Sequence, residues 1–112
     1  MNEISILKIK LTELQETILI ELNKTFNAPF ICKKLNIKPI TLSKTTQLLN
    51  EKGLIKDNEL TLEGKKMVNY LTFRNDTILL FLNKLNVSPT PESISHLSKL
   101  DYKIIVAIKN LI

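Results

Sequence analysis

The chain has 112 residues and a formal charge of +5, from 16 Lys plus Arg against 11 Asp plus Glu, so it is one domain in size and electrostatically suited to a polyanion. Hydrophobic residues make up 44% and aromatics 5%, with no Trp, which calls for an aliphatic Leu/Ile core; two glycines and four prolines are too few for the turns of an all-β protein. A single cysteine, Cys32, excludes an internal disulfide or a Cys-rich zinc site, and the longest apolar run, Ile78 to Leu82, is too short to span a bilayer.

Residues 3 to 11 are β-rich and read as a short strand or an arm. Thr12 is a good N-cap and Gln15 completes a capping-box pattern, so a helix opens there and ends between Asn23 and Asn27. Leu14, Ile18 and Leu22 recur at i, i+4 and i+8 and are expected to form its buried stripe. Pro29 suits the first turn of a second helix with Phe30, Ile31 and Leu35 on its apolar face. Asn36-Ile37-Lys38 makes a turn, and Pro39 starts a third helix with Leu42, Thr46 and Leu49 inward and Gly53 as its left-handed cap. Asp57-Asn58 tolerates positive φ and joins Leu54-Ile55-Lys56 to Glu59-Leu60 as a tight hairpin. Thr61 caps a fourth helix from Leu62, through Met67, Leu71, Ile78 and Leu82, to about Leu85. Ser88-Pro89-Thr90-Pro91 breaks the chain, and a short helix, Pro91 to Ser98, and a final one, Asp101 to Ile112, complete it.

The basic excess is local. Lys33, Lys34, Lys38, Lys44, Lys52 and Lys56 fall between residues 33 and 56, where the only acid is Glu51. All but one of the basic residues are lysine, which suits phosphate better than base readout. The outward set of the third helix is Ile40, Thr41, Ser43, Lys44 and Gln47. Such a helix can enter the major groove, where Thr41 and Ser43 bond phosphates or bases, Lys44 reaches guanine and Gln47 reads adenine. Lys33, Lys34, Lys38 and Lys56 are expected on the flanking backbone. The hairpin tip, Asp57 and Asn58, is short and partly acidic, so deep insertion into a minor groove is not expected.

The stretch Phe30-Ile31-Cys32-Lys33-Lys34-Leu35-Asn36-Ile37-Lys38-Pro39-Ile40-Thr41-Leu42-Ser43-Lys44, followed by Leu49-Asn50-Glu51-Lys52-Gly53-Leu54-Ile55, resembles the helix-turn-helix of bacterial and archaeal winged-helix regulators. Leu60-Thr61-Leu62-Glu63-Gly64-Lys65-Lys66 resembles the wing exit of the MarR and DtxR groups. From Leu60 to Val87 the chain is similar to the metal-dependent DtxR and manganese-regulator family, and Ser93-Ile94-Ser95-His96-Leu97-Ser98 is similar to that family's metal-binding segment. The resemblance implies a mainly α fold with a small β-hairpin wing: a winged helix-turn-helix over residues 1–66, then a linking helix and dimerisation helices over 67–112. Carried over residue by residue, it implies metal ligands at Glu13, Glu16, Glu92 and His96. Asn75 and Ser95 stand where the family has a histidine and an acid. The four remaining would make a carboxylate-rich site for a manganese- or iron-type ion. Degenerate ligands make a working site, and any cofactor, unexpected. First-turn acids also simply favour the helix dipole.

Ile78-Leu79-Leu80-Phe81-Leu82 and most of Tyr102 to Ile112 are apolar on every helical face, which calls for cover from a second subunit. Ile78, Leu82, Ile104, Ile105, Ile108 and Leu111 are the expected homodimer interface. Cys32 lies among apolar neighbours and reads as packing rather than a redox sensor. No Gly-rich phosphate loop, Cys/His pairing or Ser/His/Asp set suggests an enzyme or a small-molecule substrate. Residues 1–4 lack the pattern of a signal peptide, so the expected setting is the cytoplasm, away from membranes. The expected function is a homodimeric, sequence-specific, double-stranded DNA-binding transcriptional regulator. The alternatives are a winged-helix protein–protein module and a metal-responsive DtxR-like repressor.

Overall fold

A computed structural model describes residues 6–112 of the chain. Of the expected strand or arm over 3–11, residues 3–5 lie outside the described residues, and Ile6 and Leu7 are helical rather than extended. Local capping chemistry sets most boundaries that follow. Helix α1, Glu13–Lys24, opens on the capping box: the Gln15 N–H donates to Thr12 Oγ1 at 3.2 Å and the Thr12 N–H to Gln15 Oε1 at 3.0 Å. Helix α2, Ala28–Leu35, starts at Asn27, whose side chain accepts from the Phe30 N–H at 3.1 Å. It ends at Asn36, left-handed at φ 55°, and the Ile37 N–H closes the turn on the Cys32 carbonyl at 3.0 Å. Pro39 then begins helix α3, Pro39–Glu51, at the position where a missing N–H costs nothing.

The end of α3, a hairpin and the start of helix α4, Leu62–Lys84, are built as one junction. Gly53, at φ 79°, donates its N–H to the Asn50 carbonyl at 2.9 Å, and the Leu54 N–H reaches back to Leu49 at 3.0 Å. This is a Schellman cap, with fully buried Leu54 and Leu49 as its apolar pair. Strands β1, Ile55–Lys56, and β2, Glu59–Leu60, pair antiparallel with Ile55 opposite Leu60 and Lys56 opposite Glu59. Asp57 and Asn58, at φ 53° and 60°, make the two-residue primed turn that matches strand twist. Thr61 donates its N–H to the Leu54 carbonyl at 3.0 Å and its hydroxyl to the Gly53 carbonyl at 2.6 Å, while Oγ1 accepts the Gly64 N–H at 3.0 Å. One threonine thus caps α4 and anchors it to the end of α3.

The chain divides after Asn69 into two compact units, with α4 running from one into the other. In the first, α3 packs against α1, α2 and β1, and β2 packs against α1. Its core includes Ile18, Leu19, Leu22, Ile31, Leu49 and Leu54. In the second, Ile78 and Leu82 of α4 pack with Ile105 of helix α6, Tyr102–Leu111, and with Ile94 and Leu97 of helix α5, Pro91–Ser98. Thr90 and Ser93 cap α5 reciprocally. The fold is mainly helical with one small antiparallel hairpin. No helix among the described residues is long and apolar enough to cross a membrane.

Three inward faces differ from expectation. On α1, Leu14 is exposed and Leu19 takes its place in the stripe with Ile18 and Leu22. On α2, Phe30 is 53% exposed and only Ile31 is fully buried. On α3 the buried set is Leu42, Thr45 and Leu49, while Thr46 is half-buried and returns its hydroxyl to the Leu42 carbonyl at 2.8 Å. A 3-then-4 spacing and a 4-then-3 spacing differ by one residue, about 100° around a helix, and α3 has neighbours on three sides that decide between them.

Gly64 presses on this junction so closely that a Cβ there would lie 2.1 Å from the Leu54 carbonyl oxygen and 3.3 Å from the Leu60 Cβ. Elsewhere in a helix, Gly→Ala gains about 0.5–1 kcal/mol. Here overpacking against backbone reverses the sign, so Gly64→Ala should lose about 1–3 kcal/mol in urea unfolding. An unchanged or raised midpoint would refute this account of the junction.

Candidate nucleic-acid interface

With Leu42, Thr45 and Leu49 turned inward, the opposite arc of α3 faces solvent. Ile40, Ser43, Lys44 and Gln47 are exposed along it, and Thr41 is half-buried at its edge. Asn50 and Glu51 extend the same arc, three and four residues beyond Gln47, and were not singled out from sequence. Their signal was the helical spacing from Gln47. Exposed Phe30, Ile40 and Leu48 make this part of the surface partly apolar.

The lysines around α3 fall into two groups. Lys33, Lys38, Lys44 and Lys56 are exposed, and their side chains make no hydrogen bond or ion pair among the described residues. Lys34 and Lys52 are engaged within the protein. Lys52 Nζ donates to the Lys10 carbonyl and to Gln15 Oε1, the latter at 3.2 Å, which ties the end of α3 to the start of α1. Lys34 crosses from α2 to Glu21 on α1, donating to Oε1 at 3.1 Å and lying 2.9 Å from Oε2, the second contact ionic rather than a directed hydrogen bond. Lys24 adds a longer contact at 3.4 Å. Glu21 is the buried acid of this unit, and its hydrogen bond to Lys34, aided by both lysine charges, holds its carboxyl below the ordinary value of 4.5 despite desolvation. Across the hairpin, Lys56 stands opposite Glu59 and beside Asp57, so the turn adds little net positive charge.

Glu13 and Glu16 occupy the first turn of α1; Glu92 and His96 lie on α5. Among the described residues no three His, Cys, Asp or Glu side chains group so as to hold a metal ion. Asn75, at the family's histidine position, has its Oδ1 occupied by Arg74 Nε at 3.2 Å and Nη2 at 3.0 Å. Of the expected dimer residues, Ile78, Leu82 and Ile105 are buried in the second unit's own core; Ile108 is half-buried, and Ile104 and Leu111 are exposed. Leu79 and Leu80 on α4 are the exposed members of the apolar run.

Compared with protein-family models and with curated proteins, the chain matches none.

The Glu21–Lys34 pair has a pH signature. A depressed folded-state pKa contributes stability that is complete above the ordinary carboxylate value and is lost as pH falls through the folded value. Glu21→Gln should therefore lose about 1–2 kcal/mol at neutral pH. It should also flatten the fall of stability between about pH 5 and pH 3. Parallel pH profiles for parent and variant in chemical unfolding would contradict the pairing.

Proposed function

We propose that the chain is a cytoplasmic, sequence-specific double-stranded DNA-binding transcriptional regulator with a winged helix-turn-helix, acting as a homodimer. The observation that carries this is the exposed arc of α3, Ser43, Lys44 and Gln47, flanked by the unpaired lysines Lys33, Lys38 and Lys56. A helix preceded by a tight turn and presenting hydroxyl, ammonium and amide groups matches the chemistry of major-groove base edges. Lysines beside it match phosphates. Exposed Leu79, Leu80, Ile104 and Leu111 supply apolar surface for the second subunit. Two copies about a two-fold would read half-sites about 34 Å apart.

A second reading, a protein–protein module, is favoured by exposed Phe30, Ile40 and Leu48 on the same helices. Apolar side chains also meet thymine methyl groups, so they suit either partner. The two differ in base preference. Duplexes selected from a random pool should carry a two-fold-related site. Lys44→Ala or Gln47→Ala should weaken that site by about 1–3 kcal/mol and relax its sequence preference, whereas Lys38→Ala should weaken all duplexes alike. Both α3 variants binding the selected site as tightly as the parent would overturn the proposal.

A further inference from the structure

Helix α3 turns Leu42, Thr45 and Leu49 into the protein, while its second residue, Ile40, is 59% exposed. Single apolar residues are ordinary on a protein surface, so exposure alone assigns nothing. The placement of Ile40 does. Ser43, Lys44 and Gln47 follow it at three, four and seven residues, the spacing that keeps side chains on one helical face, and all three are exposed. Ile40 is therefore the apolar end of an otherwise polar stripe. The other exposed large apolar side chain of α3 is Leu48. It lies about 12 Å further along the axis and about 80° around it, too far to form a continuous apolar face on α3 with Ile40.

The surroundings select the partner. Lys38 before Ile40, Lys44 after it and Lys33 on α2 are exposed, and their side chains make no hydrogen bond or ion pair among the described residues. No acid occurs in α3 before Glu51. An apolar side chain set among free ammonium groups fits a polyanion that offers an isolated apolar group. Duplex DNA offers one, the C5 methyl of thymine at the major-groove edge. The N-terminal residues of a helix in that groove are the ones that reach base edges. A protein partner would call for a contiguous apolar patch, which α3 alone does not supply.

We infer that Ile40 is a specificity-determining residue that reads a pyrimidine C5 methyl group, so that each half-site carries a thymine at a fixed position. The inference rests on the DNA-binding reading above and adds to it a base contact that involves no hydrogen bond. Lys44 and Gln47 distinguish bases by acceptors and donors; Ile40 distinguishes thymine from uracil by one methyl group. 5-Methylcytosine carries that group at the same ring position and shares this part of the preference.

Uracil keeps the hydrogen-bonding groups of thymine and lacks only the methyl. In the duplex selected by the full-length protein, each thymine is replaced in turn by deoxyuridine. Replacement at one position of a half-site should weaken binding about fourfold, the worth of one buried methyl group, and replacement elsewhere should cost little. Ile40→Ala, an exposed substitution to the best helix former, should leave the fold intact. It should bind the thymine and uracil duplexes alike, and it should keep the parent's salt slope, because it removes no charge. Lys38→Ala should do the reverse, lowering the salt slope and keeping the fourfold difference between thymine and uracil. A parent that binds its selected duplex and tolerates uracil everywhere, or an Ile40→Ala variant that retains the difference, would overturn the assignment of Ile40 and leave the DNA-binding reading intact. No binding to any duplex would overturn both and leave Ile40 to a protein partner.

Discussion

The carbonyl of Leu54 is where three elements of the first unit meet. It follows the cap that ends α3, it accepts the N–H of Thr61 at the far end of the hairpin, and Gly64 of α4 lies directly against it. A Cβ there would force the Leu54 backbone to shift. Because Leu54 and Leu49 are both fully buried, this junction fixes α3 to the core through its last turn. The α2–α3 turn then determines the other end of α3, through left-handed Asn36 and Pro39. Clamped at both ends, α3 presents a defined arc to solvent, as a binding surface on a rigid element must.

Electrostatics divides the lysines by task. Glu21 and Lys34 join α1 to α2, and Lys52 joins α3 to the start of α1, so these two charges serve the fold. Lys33, Lys38, Lys44 and Lys56 are left to the solvent side. A charged pair with one buried member contributes most by not being broken, because an unpaired buried carboxylate is costly. The surface field is therefore smaller than the count of lysines implies, and is carried by those four side chains together with an acidic residue, Glu51, at the end of the arc.

Much of the fold was legible in the sequence where the signal is local. Thr12 with Gln15, Gly53, Asp57-Asn58 and Thr61 each act within a few residues, and each stands where its chemistry placed it. What was not legible depends on partners distant in sequence. Leu14 and Phe30 satisfy helical spacing yet face solvent, because the neighbours packed on α1 and α2 lie elsewhere. Thr45 rather than Thr46 is buried because α3 is held on three sides. The Lys34–Glu21 pair spans thirteen residues, and no local pattern announces it. Similarly, the apolar run from Ile78 to Leu82 is divided between an internal core and an exposed remainder by its packing with α5 and α6. The candidate arc itself was largely legible, with Asn50 and Glu51 as its unread extension.

In the proposed function, the solvent-side lysines bring α3 onto duplex DNA. The most direct measurement is the salt dependence of binding to a random-sequence duplex. Counterion release by about three phosphate contacts per subunit, from Lys33, Lys38 and Lys56, predicts a slope of log K against log salt of about −3 per protomer. A slope near zero, or no binding at low salt, would contradict it.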